Sequence, residues 1–198
     1  MLVVRDLRRP GVALASFELA DGACVAVRGP SGAGKTLLLR ALADLDPNQG
    51  ELWLDGQERT SMPAPCWRRL VTYFAAESAW WADSVGEHFP DWAAAAPLVV
   101  ALGLPEDCRD WAVARASTGE RQRLSLARGL AHGPRVVLLD EPTSGLDEDA
   151  RRRAEQLLLE RFAAGLSALW VTHDDAQARR VAARCLQIEH GRAREVLL

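Results

Sequence analysis

The segment Gly29-Pro30-Ser31-Gly32-Ala33-Gly34-Lys35-Thr36 constrains this chain more than any other, because it dictates a backbone shape and also what must stand on either side. It matches G-x-x-x-x-G-K-[ST], a loop whose glycines let the backbone bend until several N–H groups point inward at phosphate oxygens. Such a loop works between a buried strand and the N-terminus of a helix, whose positive end adds to the attraction. The flanks comply: residues 24–28 are a short apolar run, and 36–43 have the texture of a helix. Lys35 is placed to reach the β- and γ-phosphates of a nucleotide, and the Thr36 hydroxyl to bind Mg²⁺. Of the 24 basic residues, Lys35 is the one lysine and the other 23 are arginine. A coding bias toward arginine accounts for the 23. The exception stands where a compact ammonium, not a planar guanidinium, is required.

Around this loop the pattern predicts strands at 2–7, 16–19, 24–28, 51–54, 70–74, 136–139 and 169–172. Turns fall at Asp21-Gly22 and Asp55-Gly56. Helices are predicted at 120–131, stopped by His132-Gly133-Pro134, at the segment holding Ala154, Leu157, Leu158 and Phe162, and at 174–184. A hairpin over 185–196 turns at Gly191. Between 78 and 116 tryptophan, alanine and proline replace β-branched runs, which reads as a helical insertion of about 78–130. Strands alternating with helices predict an α/β fold with a mainly parallel sheet core and antiparallel strands at the N-terminus. A length of 198 residues suits one domain over 1–198.

Composition removes several function classes. With 48% hydrophobic and 26% charged residues the chain reads as soluble and globular. A net charge of −3 gives no reason to expect a nucleic-acid partner. Arginines 151–153 and 179–180 read as solvated helix faces. Cys24, Cys66, Cys108 and Cys185 match no metal-ligand spacing and fit a reduced, cytoplasmic chain. The start MLVVRDLRRPG lacks the order of a signal peptide. The most apolar stretch, 92–104, is broken by Pro97 and too short for a bilayer, which needs about 20 residues. A membrane role therefore requires a spanning partner.

The second chemical feature is acidic. Val136-Val137-Leu138-Leu139 runs into Asp140-Glu141, and carboxylates at the C-terminal end of a buried parallel strand lie beside the phosphate crevice of an open α/β sheet. Asp140 is expected to hold Mg²⁺, directly or through water, and Glu141 to polarise an attacking water.

Three more segments complete the pattern. They are Ala116-Ser117-Thr118-Gly119-Glu120 with Arg121-Gln122-Arg123, then Ser144-Gly145-Leu146-Asp147, then His173 after Val171-Thr172. With the glycine-rich loop and the acidic strand end, they resemble the ATP-binding cassette (ABC) family over essentially the whole chain. The first resembles the signature motif LSGGQ-x-QR, the second the D-loop and the third the switch histidine. Ser117-x-x-Glu120 is in addition a capping box for the following helix. The resemblance implies a P-loop fold of ABC-ATPase type that hydrolyses ATP with Mg²⁺. It implies Glu141, His173 and Lys35 as catalytic residues. It also implies Asp147 as a nucleotide-binding residue, and a second copy of the cassette, whose Ser117 and Gly119 complete the site across a dimer with ATP at the interface. The expected setting is the inner face of the cell membrane, bound to an integral membrane permease subunit. The chain is similar to small single-cassette bacterial subunits of iron export or metal homeostasis. A soluble non-transport ABC ATPase and a regulatory cassette are the alternatives.

Three positions depart from the pattern. The signature carries Ala116, Thr118 and Glu120 where Leu, Gly and Gln are usual, and a positive φ at Thr118 would be strained. The glutamine expected after the strand 70–74 falls on Ala76, with Glu77 beside it. No aromatic residue lies near 8–11 to stack on adenine, which leaves Arg8 or Arg9 as a planar substitute. The segment Glu77-Ser78-Ala79-Trp80-Trp81 is the expected docking surface for a partner, with burial in the core as the alternative for its tryptophans.

Overall fold

The computed structural model describes residues 1–197. Strands β1 (Leu2–Arg9) and β2 (Val12–Leu19) pair antiparallel, with β4 (Gln49–Leu54) on the other side of β1 and the short β5 (Gln57–Glu58) beyond it. Both N-terminal strands outrun the sequence expectation of 2–7 and 16–19, because Pro10-Gly11 joins them in a tight turn. The Asp55-Gly56 turn has φ of 50° and 80°, the left-handed pair that matches the twist of a two-residue hairpin.

The parallel core comprises β9 (Arg184–Glu189), β3 (Cys24–Arg28), β8 (Ser167–Val171), β7 (Val136–Asp140) and β6 (Val71–Phe74), adjacent in that order. Strand β10 (Arg192–Leu197) pairs antiparallel with β9 and touches β2 through Arg192 and Leu14, so the described strands form one sheet. The fold is the expected one, a mainly parallel sheet with antiparallel strands at the N-terminal side. Strand β7 shows why its sequence is wholly apolar. Val137 and Leu139 face one core with Trp170, while Val136 and Leu138 face the other with Leu169 and Val171. Each such side chain contributes about 1.5–3 kcal/mol by leaving water.

Helix α1 (Lys35–Leu42) follows the glycine-rich loop. Helix α2 (Ala64–Leu70) has no counterpart in the sequence expectation. It starts behind Pro63 and buries Trp67, whose indole N–H donates to the Leu42 carbonyl at 2.8 Å. In the predicted helical insertion, regular helix is confined to α3 (Trp92–Ala101) and α4 (Thr118–Ala131), and single 3₁₀ turns carry much of the rest. Helices α5 (Glu148–Ala163) and α6 (Asp175–Val181) cover the C-terminal half. The expected helix 174–184 stops short, because Ala182 is extended and Arg184 already opens β9. No helix among the described residues is long and apolar enough to cross a membrane.

One close contact ties α4 to β6. A Cβ added at Gly129 would lie 2.4 Å from two ring carbons of Phe74. Glycine to alanine inside a helix ordinarily gains about 1 kcal/mol, but overpacking costs about 1–3 kcal/mol. Gly129→Ala is therefore expected to cost up to about 2 kcal/mol net and to lower the thermal midpoint by up to about 8 °C, measured by calorimetry. A rise would mean that the Phe74 ring moves aside freely.

Candidate active site

Strands β3, β8 and β7 lie side by side and parallel, so the residues that follow them emerge together at one end of the sheet. The loop 29–36 leaves β3, Asp140 closes β7 with Glu141 just beyond it, and Thr172 and His173 follow β8. The loop shape depends on glycine. Gly29 and Gly34 have φ of 146° and 100°, and a Cβ there would come within 2.3 Å of the Ile188 carbonyl oxygen and 2.4 Å of the Gly11 carbonyl oxygen. Pro30, Ser31 and Gly32 are exposed at the loop crest, and the Ala33 N–H turns inward onto the Pro30 carbonyl at 3.2 Å. The Lys35 Nζ donates to the carbonyls of Gly29 (2.9 Å) and Pro30 (3.0 Å), which folds the ammonium under the loop.

Thr36 and Asp140, far apart in sequence, meet here: the Thr36 hydroxyl donates to Asp140 Oδ2 at 2.7 Å. The same oxygen accepts from the Tyr73 hydroxyl at 2.9 Å. Burial, together with the Asp140 carboxylate, pushes that phenol well above its usual range, so Tyr73 acts here as a donor. Sequence reasoning passed over Tyr73; its one signal was a polar group in an apolar strand that pairs with β7, where Tyr73 faces Leu138.

Glu141 is one of five non-glycine residues with positive φ among the described residues, at 50°. Its backbone is held in that bend by contacts on both sides. Its N–H donates to the Val171 carbonyl at 3.2 Å, and its carbonyl accepts from the Gln122 amide (3.2 Å) and the Ser144 hydroxyl (3.1 Å). Such strain persists where surroundings over-determine it, often at functional sites. The bend brings Glu141 Oε1 to 3.1 Å from His173 Nε2, with both side chains partly open to solvent. A cavity of about 170 Å³ beside them is lined by Glu141, Thr143, Ser144, Arg151, Thr172, His173, Asp174 and Gln177.

The signature residues stand elsewhere. The Ser117 hydroxyl accepts the Glu120 N–H (3.2 Å) and the Glu120 carboxylate accepts the Ser117 N–H (2.8 Å), the predicted capping box. Gly119 packs against Gly145 and Leu146, and no hydrogen bond among the described residues joins Ser117 or Gly119 to the loop 29–36. Asp147 caps α5 by accepting the Ala150 N–H at 2.9 Å. Thr118 lies in the first turn of α4 without positive φ, so the strain considered for this departure does not arise.

Ala76 and Glu77 are both exposed after β6. Trp80 is half-buried against the core, whereas Trp81 is 70% exposed, so burial in the core holds for Trp80 and not for Trp81. The Arg128 guanidinium lies 4.8 Å from each ring, and its Nη2 donates to the Ala79 carbonyl at 3.1 Å. Beside the glycine-rich loop, a cavity of about 560 Å³ is lined by Arg8, Arg9, Pro10, Val12, Ala13, Pro47, Asn48 and Gln49. Arg9 is tied to Asp46, leaving exposed Arg8 as the freer guanidinium. Arg180 lies exposed on the solvated face of α6, as expected, and in addition holds the buried Glu155 with two hydrogen bonds of 3.0 Å.

Residues 13–144 match the family model described as "ABC transporter". The chain is 39% identical over 193 residues to the aliphatic sulfonates import ATP-binding protein SsuB 3 of Pseudomonas syringae pv. syringae, covering 88% of this chain and 66% of the relative. It is 33% identical over 172 residues to the "Probable iron export ATP-binding protein FetA" of Escherichia coli, covering 80% of this chain and 76% of the relative. Its fold superposes with a TM-score of 0.87 at 22% identity on a dimeric ATP-binding cassette in a post-hydrolysis state bound to ADP and Pi, covering 100% and 99% of the two chains. By its sequence match, the chain belongs to the ABC transporter family of ATP-binding proteins.

Proposed function

We propose that this chain binds ATP with Mg²⁺ and hydrolyses it to ADP and phosphate, as the nucleotide-binding subunit of a transporter whose membrane-spanning part is a separate protein. The observation that carries this reading is the convergence of the glycine-rich loop, the Thr36–Asp140 pair and the Glu141–His173 pair at the ends of three adjacent parallel strands.

The loop and the first turn of α1 present backbone N–H groups to the phosphates. Lys35 leaves the Gly29 and Pro30 carbonyls to bind the β- and γ-phosphates. Thr36 and Asp140 offer a hydroxyl and a carboxylate 2.7 Å apart, a hard-oxygen pair that would hold Mg²⁺. When bound, the ion neutralises charge on the phosphate oxygens. Glu141 orients a water toward the γ-phosphorus and accepts its proton as the bond to the β-phosphate oxygen breaks. His173, against the Glu141 carboxylate, holds the γ-phosphate side of that arrangement. The 560 Å³ cavity seats the base, with Arg8 as its planar neighbour.

On this reading residues 1–198 form one ATP-binding domain, with 78–130 a helical subdomain in its core. Ser117 and Gly119, at the positive end of α4, face the γ-phosphate bound by a second copy of the chain, and Asp147 lies in the same interface. The dimeric state of the superposed cassette supports this pairing. Exposed Trp81, steadied by Arg128, anchors the membrane subunit at the inner face of the membrane. The relatives are named for sulfonate import and for iron export; iron export, the narrower expectation, is one of the cargoes the membrane subunit can decide.

The test is purification of the tagged protein from detergent-solubilised membranes, followed by steady-state phosphate release. A stoichiometric multi-span partner and ATP-dependent release are expected. A clean soluble dimer that still hydrolyses ATP would overturn the transport part alone, and binding without release would turn the reading to a regulatory cassette.

A further inference from the structure

Thr143, Glu155, Thr172 and Gln177 are all buried, and they form one hydrogen-bonded cluster beneath the Glu141–His173 cavity. Gln177 is its centre. Its Oε1 accepts from the Thr172 hydroxyl at 2.7 Å, and its Nε2 donates to Thr143 Oγ1 and to Glu155 Oε1, both at 2.8 Å. Thr172 immediately precedes His173, and its oxygen also accepts the Asp174 N–H at 3.1 Å, which fastens the backbone on both sides of the histidine. Thr143 lies two residues beyond Glu141. The orientation of the amide is not free. Burial pushes the Glu155 carboxyl up, but Arg180 and Gln177 outweigh it and hold the group below its ordinary range. An anionic acceptor there requires the N–H₂ end of Gln177, which leaves the oxygen for Thr172.

We infer that Gln177 is a positioning residue for hydrolysis, a buried strap that keeps the His173 loop in register with the Glu141 loop and so maintains the 3.1 Å contact between them. It acts through Thr172 and Thr143. The inference deepens the ATPase reading and rests on it. Buried networks of this kind fix one arrangement because every member has its partner, and a small misplacement of reacting groups is costly to rate.

The test uses the unmodified protein and five variants. Gln177→Met keeps the length of the side chain and removes both donor and acceptor. Gln177→Glu puts a second carboxylate against Glu155. Combining Gln177→Glu with Glu155→Gln restores one amide and one carboxylate to the pair. Each single variant is expected to lower kcat about tenfold or more, with KM for ATP within about twofold, and the combined variant to recover most of the loss. In a His173→Ala background, Gln177→Met should add little, since residues acting as a unit are not additive. Full additivity, no recovery in the exchanged pair, or a lower thermal midpoint with kcat unchanged would overturn the strap. Hydrogen exchange provides a readout independent of turnover: Gln177→Met should raise exchange in 141–147 and 172–175 together, and a rise confined to α6 would also overturn it. An unmodified protein that releases no phosphate would defeat the ATPase reading, and the exchange measurement would still decide whether the strap joins the two loops.

Discussion

Replacing Glu141 by glutamine is expected to slow ATP hydrolysis by about 10²- to 10⁴-fold, the usual scale for losing a general base, while ATP affinity stays within about threefold of the unmodified protein. The substitution changes little except basicity. Glutamine keeps the length of the side chain, and its oxygen can still stand against His173 Nε2, 3.1 Å away in the unmodified chain. The left-handed backbone at position 141 is held by the Val171 and Gln122 contacts, which are main-chain at the Glu141 end and survive the change. The lost capacity is that of taking a proton from water. Phosphate release under saturating ATP measures the first quantity and calorimetric titration the second. Turnover within a few-fold of the unmodified protein would remove Glu141 from the chemistry. A parallel loss of affinity would instead assign the residue to binding.

The residues of this site differ in how visible they are in the sequence, and the differences have physical causes. Asp140 and Glu141 were legible because a wholly apolar run ending in two acids fits a strand buried on both faces with its polar exit at one end. The glycine-rich loop was legible because its residue types are dictated by backbone angles, as the carbonyls crowding Gly29 and Gly34 make plain. The capping box was legible because its two partners are three residues apart. Gln177, Thr143 and Glu155 were not legible, since their contacts span 22 and 34 positions and nothing local requires those side chains to be polar. Tyr73 was hidden for the same reason, 67 positions from the carboxylate it serves. Helix α2 was missed because its stabilisation is tertiary, through a buried Trp67, and not a periodic apolar face. The end of α6 was misplaced because Arg184 is drawn into the sheet beside β3, a competition that helical periodicity cannot register.

Replacing Lys35 by alanine is expected to weaken ATP binding by about 10²- to 10³-fold, with loss of turnover as a consequence. Each hydrogen bond from a charged donor contributes about 1.5–3 kcal/mol, and Lys35 is placed to give at least two, to the β- and γ-phosphates. Because Nζ gives up its bonds to the Gly29 and Pro30 carbonyls on binding, the net loss falls at the low end of that sum, about 3–4 kcal/mol, which corresponds to that range of affinity. The fold itself should tolerate the change. The present partners of Nζ are the carbonyls of Gly29 and Pro30, on a loop whose crest is exposed, so water can replace the ammonium there. A thermal midpoint within about 2 °C of the unmodified protein is the matching expectation, because the change amounts to less than about 1 kcal/mol in a chain of this size. Lys35→Arg discriminates charge from shape. Its charge is preserved, but a planar guanidinium must enter a space where Lys35 is only 8% exposed and two carbonyls converge on a point donor. Binding at least about tenfold weaker in the arginine variant would show that geometry matters beyond charge. Near-normal affinity in the alanine variant would overturn the assignment of this loop to phosphate.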